Sequence, residues 1–261
     1  MNKKCVFIGG RQIGVNCLRV LLSHQVKPEL VIGEIKDDGK DTILFESLIN
    51  VAEQNNLNVL RGAKIKDEEI IEKIESLQPD IIFHVGGTQL IPIRVIRAAV
   101  LGCTNLHPAL LPKYRGRFST AHALFNGEEK TGVTLHWLSE GIDNGPIIKQ
   151  KSYPITESDT GKTLYEKFTH VGTELFNEFV KLWLSRAKIP STPQDESQAT
   201  YYPKELPNNG EIDWSWDGEK IKRFIRAMTY EPYPPPTFKI GDEKMVIVSG
   251  VSQNSNQPNI I

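Results

Sequence analysis

Apolar and polar positions alternate along this chain in two rhythms. Short runs of apolar or β-branched residues stand at Cys5 to Ile8, Leu30 to Ile32, Ile81 to Val85 and Cys103 to Leu106, the length and make-up of buried strands. Between several of them the apolar positions recur at spacings of three and four, over Gly14 to His24, Thr42 to Gln54, Asp67 to Leu77 and Ile93 to Val100. That is the period of a helix with one buried face. Strands interleaved with such helices predict an α/β fold with a Rossmann-like, largely parallel sheet and helices on both faces. A further strand is expected over Gly132 to Leu138, and a long helix from Thr160 to Ser185 carries one stripe of Leu164, Phe168, Val171, Leu175, Phe179 and Leu182.

From Lys188 the composition shifts to Pro, Ser, Gln and Asn, which reads as a linker over residues 188–209 between a large unit (1–187) and a small C-terminal extension (210–261). In the extension Ile221, Phe224, Ile225 and Met228 give a short amphipathic helix, ended by Pro232 to Pro236. A β-hairpin follows, with Thr237 to Ile240 and Lys244 to Val248 around Gly241-Asp242-Glu243, and Ser252 to Ile261 form a loose polar end.

Composition narrows the classes. The chain has 261 residues, 39% of them hydrophobic, enough for one sizeable core or a large domain and a small one. Lys and Arg number 31 against 32 Asp and Glu, so the overall balance lacks the electrostatic footprint of a nucleic-acid binder, and no nucleic-acid partner is expected. Cys5, Cys17 and Cys103 are odd in number and sit in apolar runs, the pattern of reduced core thiols. The N-terminal apolar run stops at Gly9-Gly10-Arg11, and no stretch reaches the roughly 20 apolar residues of a membrane span. A cytoplasmic protein with no membrane partner is expected.

Candidate chemistry falls at two places. Gly9-Gly10-Arg11-Gln12-Ile13-Gly14 closes the first strand, where it serves either an anion at a helix start or simply a tight turn. Arg11 stands where a dinucleotide fingerprint needs glycine, and the P-loop lysine is missing. The second place is sharper. Asn105-Leu106-His107-Pro108 lies at the carboxyl end of a strand, where open α/β sheets hold their ligands, and alternation puts Asn105 and His107 on one side. Leu111 to Gly116, the helix around Ala121 to Asn126, the strand Gly132 to Leu138 and Glu140-Gly141-Ile142-Asp143-Asn144-Gly145-Pro146 follow. Taken singly, Asn105 could cap a turn, His107 could be structural and Asp143 could brace a Gly-rich loop. His24, His84, His122, His136 and His170 read as structural, and Cys103, on the same strand side as Asn105, as packing.

The ordered runs NLHPALLPKYRG and TGVTLHWLSEGIDNGPII resemble the folate-dependent formyltransferases, over the region from Cys5 to about Ser185. The resemblance implies an enzyme whose Asn105, His107 and Asp143 transfer a formyl group from 10-formyltetrahydrofolate, a co-substrate, to a primary amine, with no metal. His107 would take the amine's proton, Asn105 would donate to the formyl oxygen, and Asp143 would orient His107. By the same resemblance the pterin lies against Gln89, Leu90 and Ile91 and against Leu138, Ser139, Glu140, Gly141 and Ile142. Residues 210–214, 225–227 and 233–234 resemble the extension of sugar N-formyltransferases acting on nucleotide-linked amino sugars, in which a hairpin often pairs two subunits. Arg11, Gln12, Tyr230 and Tyr233 are then candidates for the substrate's diphosphate and base, with ordinary packing or exposed charge as the alternative for each. The expected reaction is formylation of a dTDP-linked amino-dideoxy sugar, such as dTDP-4-amino-4,6-dideoxyglucose, by a homodimer in surface polysaccharide (O-antigen or lipopolysaccharide) assembly. Methionyl-tRNA formylation is the alternative, disfavoured by the short extension and the slightly negative charge. A non-catalytic nucleotide-binding module is the rival from another class.

Overall fold

The structure, a computed structural model, describes residues 3–231, 233–241 and 243–247. Pro232, Asp242, Val248 and the Ser252 to Ile261 end lie outside the described residues. In chain order, β1 (Cys5–Gly9) leads into α1 (Arg11–Ser23), and β2 (Leu30–Ile32), α2 (Leu48–Gln54), β3 (Val59–Leu60), α3 (Glu68–Leu77), β4 (Ile81–Val85), α4 (Ile93–Ala98) and β5 (Cys103–His107) continue the alternation. Then come β6 (Arg115–Gly116), α5 (Ser119–Phe125), β7 (Lys130–Trp137), β8 (Ile147–Pro154) and the long α6 (Gly161–Leu184). Beyond α6 lie β9 (Tyr201–Tyr202), α7 (Gly218–Met228) and the antiparallel pair β10 (Thr237–Ile240) and β11 (Glu243–Val246).

Seven strands form one sheet in the order β3-β2-β1-β4-β5-β7-β8. The first five run parallel and β7 and β8 antiparallel, so this is the expected Rossmann-like α/β sheet with a small helix and hairpin after it. Strand alternation sorts the core into two faces. Cys5, Phe7, Ile81, Phe83, Leu106, Val133 and Leu135 face α1 and α6, while Val6, Ile8, Ile82 and Cys103 face α3 and α4. On the first face Phe83 meets Phe176 and Trp183 edge-on at 5.1 and 5.4 Å, each contact adding about 1 kcal/mol beyond its buried area. All three cysteines are free and buried.

Strand order reverses between β1 and β4, and there two glycines are demanded by close backbone approach. A Cβ on Gly9 would strike the carbonyl oxygen of Val85, and Gly86, at φ +68°, would strike that of Gly10. Steric demand of the crossing thus accounts for Gly9 and Gly86.

Some elements depart from expectation. The helix expected from Thr42 begins only at Leu48, because Ser47 Oγ accepts the Asn50 N–H at 3.0 Å as an N-cap and Thr42 closes its own turn onto Phe45. The edge strand β8 and the two-residue β3 were not expected at all. By contrast α6 starts at the expected place, where Thr160 and Thr163 form a reciprocal cap. Helix α7 buries Phe224 and Met228 against Ile212, the small cluster beneath the C-terminal unit. Between α6 and α7, Thr192 bridges to Ile147 and β9 pairs with β6, so residues 192–202 are stitched onto the large unit.

Candidate active site

Three adjacent strands carry a polar row across the sheet. In register, His84 of β4 stands beside Asn105 of β5, and Asn105 beside His136 of β7, all on the face opposite Phe83 and Leu106. His107 lies two residues further along β5, paired with Thr134. Asp143, from the loop after β7, reaches back over this row: its Oδ1 lies 3.5 Å from Asn105 Nδ2 and 3.6 Å from His136 Nε2, its Oδ2 3.4 Å from His107 Nδ1. The structure therefore brings Asn105, His107 and Asp143 together, as the sequence pattern required.

Hydrogen bonds fix the protons. His107 Nε2 lies 2.7 Å from the Tyr114 carbonyl oxygen, so Nε2 carries a hydrogen and donates it. Ser119 Oγ also donates to that carbonyl, at 2.9 Å. The position left for a second proton is Nδ1, beside Asp143. His136 donates from Nδ1 to its neighbour Trp137's carbonyl at 2.9 Å, which leaves Nε2 as an acceptor, 3.2 Å from Asn105 Nδ2. One carboxamide thus offers its two hydrogens to two acceptors, and the Asn105 side chain has a defined orientation.

Electrostatics follow from burial. His136 is fully buried, and loss of hydration pushes its pKa down to about 4, with Asp143 opposing the shift. His84 is likewise pushed to about 4 by burial, with Asp143 and the neighbouring Asn105 side chain opposing the shift. For Asp143 burial works against ionisation, yet His107, His136 and the Gly116 N–H (2.9 Å from Oδ2) outweigh it and hold the carboxyl below its ordinary range. The result is one buried carboxylate facing an imidazole able to accept a proton at the atom nearest to it. Such a set can take a proton from an attacking amine and store it as an imidazolium–carboxylate pair.

Asp143 sits at φ +50°, in the left-handed region, and its loop is held from below. Gln194 Nε2 donates to the carbonyls of Asp143 and Gly145, each at 2.7 Å. The guanidinium of Arg115, with no exposed surface, donates through Nε and Nη2 to Gln194 Oε1 at 3.1 and 2.8 Å, and also binds Glu196 and the Tyr201 hydroxyl. Gly145 has no room for a side chain, since a Cβ there would overlap the Trp137 carbonyl oxygen. Backbone meets backbone at that contact, so relief must come from moving the loop. Gly145→Ala is expected to cut kcat by about 100-fold, because a displacement of about 1 Å at a reacting group has that effect. Steady-state kinetics on folded variant would check it, and unchanged kcat would show that the loop adapts without moving Asp143.

The segments expected to hold the folate converge on the same end of the sheet. Ile91 and Leu138 pack on the same core cluster, beside Val95 and Cys103. Leu90 and Ile142 are exposed, an arrangement that suits a flat apolar ring, and the main-chain N–H groups of Glu140, Gly141 and Ile142 have no hydrogen-bond partner among the described residues. Ser139 Oγ is taken by Asn144 Oδ1 at 2.5 Å. Gln89 points its carboxamide away, binding the Ile65 N–H and the Ala63 carbonyl, both at 3.1 Å, so only its backbone is left for a ligand. These residues fit a pterin held by main-chain groups. Among the described residues no group of three His, Cys, Asp or Glu side chains is placed to hold a metal.

On the other flank Tyr230 stacks on Tyr165 at 5.3 Å and meets Tyr233 edge-on at 4.9 Å, and Tyr233 meets Phe118 at 5.3 Å. Phe118 directly precedes Ser119, whose hydroxyl is 3.2 Å from His107 Nε2. Arg11, exposed and at φ +57°, is charged close enough to all three tyrosines to favour their ionised forms, against a larger effect of burial. Gln12 is spent within the protein, on Asn16 at 3.0 Å and Glu46 at 2.9 Å. Sequence reading set His136 and His84 aside as structural and did not single out Ser119, Gln194 or Tyr165. For His136 the signal was latent: pairing the predicted strand 132–138 against that of Asn105 would have set the two side by side.

An open α/β sheet whose strand ends join an imidazole, a carboxamide and a carboxylate, beside a cradle of main-chain donors, defines a group-transfer enzyme. The formyl transferase family matches residues 22–180, and the formyl transferase C-terminal domain matches residues 206–260. A methionyl-tRNA formyltransferase of Thermodesulfovibrio yellowstonii is 34% identical over all of this chain and 84% of its own length. Among solved structures, WlaRD, a sugar 3N-formyl transferase crystallised with dTDP and 5-N-formyl-THF, superimposes with TM-score 0.75 at 26% identity, over 90% of this chain and 82% of its own. The N-formyltransferase of Helicobacter canadensis, in complex with folinic acid and dTDP-3-aminofucose, gives TM-score 0.74 at 26% identity over 92% and 85%. This chain belongs to the formyltransferase family, as a folate-dependent formyl-transfer enzyme.

Proposed function

We propose that the protein moves a formyl group from 10-formyltetrahydrofolate to the amine of a dTDP-linked amino-dideoxy sugar, such as dTDP-4-amino-4,6-dideoxyglucose, for surface polysaccharide assembly in the cytoplasm. The observation that carries this reading is the aromatic wall of Tyr165, Tyr230 and Tyr233 with Arg11 beside it, which reaches His107 through Phe118 and Ser119. Flat rings suit a nucleobase and a guanidinium suits a diphosphate, the two parts of a sugar nucleotide. Two solved relatives contain dTDP or a dTDP-sugar, which supports the same class. In this reading Asn105, His107 and Asp143 perform the transfer: the neutral amine attacks the formyl carbon, its proton passes to His107 Nδ1, and Asp143 stabilises the imidazolium. The proton then goes to the departing folate nitrogen.

Ile240 and Met245 stand exposed on one face of the β10–β11 hairpin, a surface that suits pairing of two subunits. Methionyl-tRNA formylation is a second reading, favoured by the 34% identity with the Thermodesulfovibrio enzyme. Purified protein with 10-formyltetrahydrofolate and a panel of dTDP-amino sugars should yield, by mass spectrometry, a sugar nucleotide heavier by one formyl group. Charged initiator tRNA should remain unmodified in the parallel reaction. Formylation of the tRNA alone would replace the sugar reading with the second one.

A further inference from the structure

We propose that Gln194, carried on the segment between the two units, is a positioning residue for the transfer, holding Asp143 in its working conformation. The inference rests on Asp143 acting with His107 as proposed above. Left-handed backbone at a non-glycine residue persists only where the surroundings hold it, and here three contacts do so, two at Asp143 and one at Gly145. The Gly116 N–H holds the carboxylate at 2.9 Å, and the Gln194 carboxamide holds the carbonyls of Asp143 and Gly145 at 2.7 Å.

Gln194 has one way to face. Its Oε1 accepts two N–H bonds from the Arg115 fork, at 3.1 and 2.8 Å, so the NH2 end must point at the loop. Arg115 and Gly116 are neighbours in β6, so a single two-residue strand grips Asp143 twice: at the carboxylate through an amide, and at the backbone through Gln194. The segment is itself tied down, by Thr192 pairing with Ile147 just beyond Gly145 and by β9 pairing with β6. Both ends of the buckle therefore lie on strands that frame the site. Gln194 touches neither reacting group, and its influence passes through the placement of one carboxylate.

The test is a double-mutant cycle with the full chain, read as kcat and KM for donor and acceptor under single-turnover and steady-state conditions. Gln194→Ala should lower kcat by roughly 10- to 100-fold with KM for the folate within about twofold, the size of effect expected for a misplaced reacting group. In an Asp143→Asn background the same change should cost less than about twofold, because the residue to be positioned is already disabled. Gln194→Glu, close in shape and volume, keeps the acceptor for Arg115 but cannot donate to either carbonyl. It should match the alanine variant, which guards against loss through a packing defect, and thermal melting of each variant confirms folding. Equal losses in both backgrounds, or an unchanged kcat in the folded Gln194 variants, would overturn the inference while leaving the active-site assignment intact. Full activity in Asp143→Asn would instead overturn that assignment and this inference with it.

Discussion

Replacement of His107 by alanine is expected to lower turnover by roughly three orders of magnitude, the usual worth of a positioned acid–base group, while the fold survives. Survival follows from the local bonding. His107 is 3% exposed, but the Tyr114 carbonyl that it binds also accepts from Ser119 Oγ at 2.9 Å, so removal of the imidazole leaves no orphaned acceptor there. Asp143 keeps the Gly116 N–H. Loss should therefore appear in kcat, with KM for the folate nearly unchanged and the melting temperature lowered by the cavity alone. A folded His107→Ala protein turning over within a few-fold of the parent would remove His107 from the reaction.

Acid should unfold the protein in an unusually high pH window. His84 and His136 titrate near 6.5 in an unfolded chain and about 4 in the folded protein, because burial disfavours their charged forms. Above pH 6.5 both are neutral in both states and exact no penalty. As pH falls toward about 4 the unfolded chain takes up protons that the native state refuses, so stability declines through that interval. The two together account for a loss on the order of a few kcal/mol. Asp143 and Asp159 act with the same overall direction but lower down, since their folded pKa values are depressed below 3.8 and their stabilisation fades only as they protonate. Urea midpoints at several pH values would trace the decline, and His84→Phe should flatten it between pH 6.5 and 4. Identical slopes in parent and variant would show that His84 is not a source.

Much of this was legible in the chain because local pattern and tertiary role coincide. β1, β4, β5 and β7 are runs buried on both faces, and their apolar character does not depend on what lies beside them. β8 is different: as an edge strand with Lys149, Gln150 and Lys151 in its middle, it has partners on one side and water on the other, so its sequence carries little strand signal. The helix at Leu48 lost its first expected turn to Ser47, whose capping role depends on Asp37 accepting its hydroxyl at 2.5 Å across a loop. The site divides the same way. Asn105, His107 and Asp143 fall in motifs, whereas His136 and Gln194 matter through strand register and through a bond spanning 51 residues, which no window on the sequence contains.

The groups that would react ride on β5, β7 and the turn after β7, in the middle of the sheet, whereas the aromatic wall comes from α6 and the stretch beyond α7. No strand is common to the two sets. Side chains carried outside the sheet can be exchanged or re-angled without disturbing the backbone ladder that spaces an imidazole from a carboxylate. Under the function proposed above, a scaffold built this way can change the amine it accepts and keep its chemistry, and the chain's relatives include one named for a nucleic acid and one named for a sugar.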